Sequence, residues 1–230
     1  MTDKTVLITG AARRVGAGIA RYLHNKGMNI VVHYHTSEKD ALGLVNTLNR
    51  ERANSATLVR ADLLHTEAFP ALVATALEFT GELDVLINNA SQFYPNRMGE
   101  TTTAQWQELV GTNMQAPFFL AQACLTPLRV NRGCIINITD VHGTRPLKNY
   151  SIYSAAKAGL LMLTQTMARE LGPDIRVNAI SPGPIIWPEN TSEETKQAII
   201  GKTVLKRAGD PEDLAKAAWF LIEEAGYMTG

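Results

Sequence analysis

The stretch Thr5-Val-Leu-Ile-Thr-Gly-Ala-Ala-Arg-Arg-Val-Gly-Ala-Gly18 decides how the chain folds. Its first five residues form a short apolar run closed by Gly10, the pattern of a buried strand. Residues 15–26 then carry apolar side chains at helical spacing and stop at Gly27, a C-terminal cap. A glycine-rich turn between a first strand and a first helix is where a dinucleotide can sit. Glycines allow a tight turn and close backbone approach to a pyrophosphate, which rests on the helix N-terminus. This assigns Gly10, Arg13, Arg14, Val15 and Gly16 to a cofactor site. Arg14 stands where a small residue is expected, and is either a solvated surface arginine or a guanidinium that contacts phosphate and reaches toward substrate.

Outward from this turn, strands and helices alternate. Strands are expected at 28–33, 56–60, 84–88, 134–139 and 175–180, and helices at 38–52, 68–79, 154–171, 192–200 and 211–224. A long helical stretch at 102–128 should break near Pro117, because proline removes a backbone donor. Such alternation predicts an α/β fold with a doubly wound parallel sheet in three α/β/α layers. At 230 residues one domain spanning 1–230 is expected, with a substrate loop at about 181–203.

Bulk properties narrow the partners. Lys plus Arg and Asp plus Glu both number 22, so net charge suggests neither nucleic acid nor a membrane surface. No apolar run is long enough for a membrane span, and the N-terminus lacks the pattern of a signal peptide. Cys124 and Cys134 show no metal-ligand spacing and read as core residues of a reducing compartment. A cytoplasmic protein without a metal is expected.

The chemistry is expected in Asp140-Val-His-Gly-Thr-Arg-Pro-Leu-Lys-Asn-Tyr-Ser-Ile-Tyr-Ser-Ala-Ala-Lys157. Tyr153 and Lys157 lie four apart at the start of a helical run, hence on one face. A phenol titrates near 10, and an adjacent ammonium should lower that value and make Tyr153 a usable general acid or base. Asp140, with Thr139 before it, ends an apolar strand, the position that faces the ligand crevice of an open α/β sheet. His142 and Cys124 read as structural.

The other strand ends supply further cofactor contacts. An NAD-binding site usually places an acid after its second strand. Here His35, Thr36 and Ser37 precede the first acid, Glu38, and their hydrogen-bonding groups, with Arg13 or Arg14 nearby, favour the 2′-phosphate of NADPH. Ala61, Asp62 and Leu63 follow the third strand and suit the adenine side. Asn89, Ala90 and Ser91 follow the fourth and suit the ribose side. Pro182, Gly183 and Ile185 follow the sixth.

Thr9-Gly10 with Gly16, Asn88-Asn-Ala90, Asn113, Tyr153-x-x-x-Lys157 and Ser181-Pro-Gly183 together resemble the short-chain dehydrogenase/reductase family over essentially the whole chain. The resemblance implies a Rossmann-type fold and hydride transfer from NAD(P)H. It also implies Tyr153 as proton donor, Lys157 on the nicotinamide ribose, Asn113 in a proton relay, and a homotetramer packed through long helices. The family normally continues beyond Tyr227-Met-Thr-Gly230 into one more strand.

Two departures point within the family. Ordinary members have serine where Asp140 stands and glycine where Arg14 stands. A carboxylate repels the developing charge of a carbonyl oxygen but accepts N–H groups of a nitrogen heterocycle. Arg14, Asp140 and Asn89-Ala-Ser-Gln-Phe-Tyr-Pro95 resemble the pteridine reductase subgroup, although Thr36 stands where that subgroup has arginine. That resemblance implies Phe93 stacking on a pterin, with Ser91, Arg14, Asp140 and Tyr153 around it. Trp187 is either an anchor for a substrate lid or packing between lid and body. The expected activity is NADPH-dependent reduction of a dihydropterin or dihydrofolate. The alternatives are reduction of an oxoacyl or small ketone substrate, and a non-catalytic nucleotide-binding regulator.

Overall fold

In the computed structural model, which describes residues 3–188 and 191–230, six parallel strands form one sheet in the order β3-β2-β1-β4-β5-β6. The strands are β1 (Thr5–Ile8), β2 (Asn29–Tyr34), β3 (Ala56–Arg60), β4 (Val85–Asn88), β5 (Cys134–Ile138) and β6 (Arg176–Ile180). The chain runs outward from β1 to β3, then returns to place β4 beside β1. That reversal opens a crevice at the carboxyl ends of β1 and β4.

Alternation along the strands builds two cores. Val6 and Ile8 pack with α1 (Arg14–Asn25), α2 (Glu38–Glu51) and α9 (Pro211–Trp219), through Ile19, Leu44 and Leu214 among others. Leu7 faces the other layer, where α3 (Phe69–Thr80), α5 (Ala116–Ala123), α6 (Leu125–Val130) and α7 (Ser151–Leu171) supply Phe69, Leu120, Leu128 and Met167. Sheets covered on both faces need strands that are apolar throughout, and all four residues of β1 are buried. Cys124 and Cys134 are free and belong to different cores. Burial pushes their thiols up to about 12 and about 11, so both behave as packing groups.

Two details of the helices stand out against expectation. The helix carrying Tyr153 begins a turn earlier, at Ser151. The long helical stretch is divided into α4 (Thr103–Val110), α5 and α6, and the interruption expected near Pro117 is a π segment, Gly111–Gln115, that ends just before it. Pro117 follows that segment at the start of α5, and the backbone stays helical across the junction. In the π segment the Asn113 side chain donates to the Leu109 carbonyl at 2.9 Å, one turn back along the same helix. At the outer edge of β6, Gly230 N donates to the Val177 carbonyl at 2.8 Å and Asn178 donates to the Met228 carbonyl at 2.9 Å. No helix among the described residues is long and apolar enough to cross a membrane.

Candidate active site

The glycine turn is fixed by steric demand. Gly10 has φ +61°, where a side chain is strained, and a Cβ there would lie 3.0 Å from the Ala90 Cα. A Cβ on Gly16 would strike the Gly10 carbonyl and come within 2.7 Å of Asn89 Nδ2. Gly18 serves packing, since a Cβ on it would meet the Pro211 ring at 2.8 Å. Asn89 and Ala90 brace the turn from β4. Both of their backbone amides donate to Thr9 Oγ1, at 2.9 and 3.0 Å, and Asn89 Nδ2 donates to the Thr9 carbonyl at 2.8 Å. Asn89 is thus a support of the turn as much as a wall of the crevice. Val15 packs on the core beneath it.

The two arginines diverge. Arg13 is exposed, with Nε 3.6 Å from an Asp40 carboxylate oxygen. Arg14 takes a left-handed backbone, φ +55°, and its Nη2 donates to the Ile186 and Trp187 carbonyls, both at 3.3 Å. It therefore clasps the loop after β6. Trp187 in that loop is half-buried, and the neighbouring Ile185 packs on the core. Pro182 accepts from Val141 N at 3.1 Å, which joins this loop to the end of β5. Gly183 is exposed, with open space where a Cβ would project.

On the adenine side, His35 and Thr36 are exposed and Ser37 is half-buried at the start of α2, where its hydroxyl caps nothing. His35 Nε2 lies 3.7 Å from Asp62 Oδ2, and Asp62 Oδ1 accepts from Leu64 N at 3.0 Å. Leu63 is buried, and Ala61 is half-buried. His33 is not in this exposed group. It is 1% exposed and its ring is engaged by backbone on both sides.

At the carboxyl end of β5, Tyr153 Oη donates to Asp140 Oδ2 at 2.6 Å. The other carboxylate oxygen accepts from His142 N at 2.8 Å and starts the 3-10 turn Val141–Gly143. Lys157 is fully buried and donates to the Ile138 carbonyl at 2.9 Å, with its ammonium 5.7 Å from the centre of the Tyr153 ring. Burial lowers its pKa from 10.5 to about 8, against the attraction of Asp140. Thr139 bonds to Ser181 Oγ at 2.7 Å and fixes the strand end. Ser91 Oγ donates to Asn113 Oδ1 at 2.6 Å, while Asn113 Nδ2 also reaches the Gln92 carbonyl at 2.9 Å. Asn113 is thus a buried, fully bonded link between the π segment and the loop after β4.

The expected lowering of the Tyr153 pKa is reversed. Burial raises it, and so does the Asp140 carboxylate, through its charge and the hydrogen bond to the phenol. The four-residue spacing does put Lys157 beside the ring, but its ammonium is aimed at a carbonyl and is itself poorly hydrated. A carboxylate in direct contact outweighs it.

Phe93 stands 39% exposed in the loop over this site, with its ring stacked on Tyr150 at 4.5 Å and 18°, and edge-on to Tyr153 at 4.8 Å. Tyr150 was not singled out in the sequence. The loops meet because Asn96 N donates to the Asn149 carbonyl and Asn96 Nδ2 to Ser151 Oγ, at 2.6 and 3.0 Å. No local sequence signal announces that pairing.

A family model described as enoyl-(acyl carrier protein) reductase matches residues 10–230. The chain belongs to the short-chain dehydrogenase/reductase family. As a member it is an oxidoreductase of a family that binds a nicotinamide cofactor. It is similar to glucose 1-dehydrogenase 2 of Bacillus subtilis, at 36% identity over all of this chain and 92% of that protein. It is similar to pteridine reductase 1 of Leishmania tarentolae, at 33% over all of this chain and 93% of that protein. A 3-oxoacyl-(acyl-carrier-protein) reductase of Staphylococcus epidermidis is 32% identical over 99% of this chain and 95% of its own. The short-chain dehydrogenase/reductase crevice found here suits a dinucleotide: two glycine positions admit no side chain, and the first turn of α1 has neither a side-chain cap nor an acid to repel phosphate.

Proposed function

We propose that the chain is an NADPH-dependent pteridine reductase that converts a dihydropterin or dihydrofolate to the tetrahydro form. The observation that carries this reading is the 2.6 Å hydrogen bond from Tyr153 to Asp140. Overall similarity does not choose among a sugar dehydrogenase, an oxoacyl reductase and a pteridine reductase, since the three relatives lie between 32% and 36% identity. What supports the pteridine reading is the set of residues around the phenol.

When bound, the nicotinamide supplies a hydride. Gly10, Arg13, Arg14, Val15, Gly16, the segments 35–37, 61–63 and 89–91, and Thr139, Pro182, Gly183 and Ile185 hold the cofactor in this reading. Lys157 meets its ribose in this reading. Tyr153 holds a proton, kept on the phenol by burial and by Asp140, and releases it to a ring nitrogen as the adjacent ring carbon is reduced. Asp140 accepts N–H groups of the heterocycle with the lone pairs that Tyr153 and His142 leave free. Phe93, stacked on Tyr150 and partly exposed over the site, is the aromatic side chain that meets the heterocycle in this reading, with Ser91, Arg14 and Trp187 bordering it. The segment 181–203, in which residues 189 and 190 lie outside those described and Glu193–Lys202 is helical, is the substrate loop in this reading. Exposed Trp106, Phe119 and Met162 on α4, α5 and α7 support homotetramer assembly, which light scattering after gel filtration checks.

The test is oxidation of NADPH by the purified protein with dihydrobiopterin, beside ketone, sugar and oxoacyl substrates, with NADH as the control. Pterin turnover that disappears in Tyr153→Phe and in Asp140→Ala supports the proposal. Turnover confined to ketones, kept or improved in Asp140→Ser, replaces it with a carbonyl reductase.

A further inference from the structure

We propose that His33 is a positioning residue for the dinucleotide, its buried imidazole locking the glycine turn after β1 to the turn after β3. The inference rests on membership of the family and on the cofactor crevice, and is independent of which substrate is reduced.

His33 lies in β2, between the strands whose ends carry those two turns. Gly10 N donates to its Nδ1 at 3.1 Å, and its Nε2 lies 3.2 Å from the Ala61 carbonyl. A carbonyl only accepts, so Nε2 carries the proton and Nδ1 is left as the acceptor for Gly10. One neutral tautomer thus satisfies both contacts at once. The backbone repeats the connection: Ala11 N donates to the His33 carbonyl at 2.9 Å, and Ala61 N to the Tyr34 carbonyl at 3.1 Å. Two successive amides of the glycine turn therefore end on a single residue of β2.

The arrangement matters because Gly10 has a left-handed backbone that few side chains could adopt, and such a turn holds its shape only when its surroundings fix it. Gly16 closes on the Gly10 carbonyl from the other side. An apolar residue at 33 would take from the half-buried Gly10 amide and Ala61 carbonyl the only side-chain partner they have among the described residues, and the turns would relax to find new ones. A binding surface assembled from two turns loses affinity when they no longer share one geometry. Among the described residues, no other side chain bonds to the Gly10 amide or the Ala61 carbonyl.

Three measurements test this. In the protein without cofactor, nitrogen chemical shifts of His33 should show a protonated Nε2 and a bare Nδ1. The opposite tautomer overturns the proposal without any variant. Next, NADPH affinity is measured by fluorescence for His33→Leu and His33→Asn, after circular dichroism has established that each is folded. Leucine should weaken binding about tenfold to a hundredfold, the worth of one or two lost hydrogen bonds. Asparagine, which can still accept from Gly10, should recover a large part of that loss. Third, steady-state rates should place the loss on the KM for the cofactor and not on kcat. Unchanged NADPH affinity in a folded His33→Leu, or equal losses in both variants, would refute the role.

Discussion

Lys157 offers a quantitative test of the site's electrostatics that needs no substrate. Its ammonium is fully buried, and its pKa falls from 10.5 to about 8, chiefly through burial. At pH 7 it is charged in both the native and the unfolded chain, and the native state bears a cost of about 3 kcal/mol for holding it. Between pH 8 and 10.5 the native protein has shed a proton that the unfolded chain still binds, so stability rises with pH in that window. Integration from pH 7 to pH 10 gives a gain of about 2.5 kcal/mol. Lys157→Met removes the titrating group while keeping an unbranched side chain. The difference in unfolding free energy between wild type and variant cancels titrating groups that Lys157 does not influence. Urea unfolding followed by tryptophan fluorescence at pH 7 and pH 10 measures it. The variant should be at least as stable as wild type at pH 7, and wild type should gain about 2.5 kcal/mol on it by pH 10. A difference that stays within about 0.5 kcal/mol at both pH values refutes the reasoning, because the ammonium would then be as well solvated in the fold as outside it.

Other consequences can be measured directly. Tyr153→Phe should bind NADPH normally yet lower kcat about a hundredfold to ten-thousandfold, the worth of a positioned general acid. Arg14→Gly should relieve a left-handed backbone costing about 1 kcal/mol, seen as a higher unfolding midpoint, while raising the substrate KM by freeing residues 186 and 187. His33 is held neutral, with its pKa lowered to about 4, chiefly by burial and further by His35, against the Ala61 bond and Asp62. The unfolded chain takes up that proton first, so stability should fall by up to about 3 kcal/mol from pH 6.5 to pH 4, and His33→Asn should lack that component in matched urea titrations.

The sheet was legible because each strand is a short apolar run ended by a polar residue or glycine, and burial on both faces demands that pattern. Asp140 and Tyr153 could be brought together in the sequence because one closes a strand and the other opens a helix at the same end of the sheet. Contacts between loops were not legible. The stack of Phe93 on Tyr150 depends on the Asn96 bonds, and nothing in either loop encodes its partner. Nor could local pattern separate buried His33 from exposed His35, since His35 lies one residue past the end of β2 and two-residue spacing would put both on one side of an extended chain. Only the closing of the turns over the strand end distinguishes them. In the long helix, proline marks the neighbourhood of the interruption, whereas its form, a π segment tied through Asn113 to the loop after β4, rests on contacts that local pattern does not encode.

The same geometry bears on the direction of the chemistry. Oxidising an alcohol requires a base, and Tyr153 would have to serve as phenolate. Loss of its proton would place a second anion 2.6 Å from a carboxylate oxygen of Asp140, in a buried setting that already disfavours charge. In the proposed role, oxidation should therefore climb steadily with pH across the neutral range, because the base form is scarce and grows tenfold per unit. Reduction draws on the abundant phenol and should stay level until Lys157 loses its proton near pH 8. A serine at position 140 would remove the carboxylate and bring the two profiles closer together. A carboxylate at this position thus favours an acceptor that needs a proton donor and can itself donate N–H groups to the carboxylate, as a reduced nitrogen heterocycle does and a ketone does not.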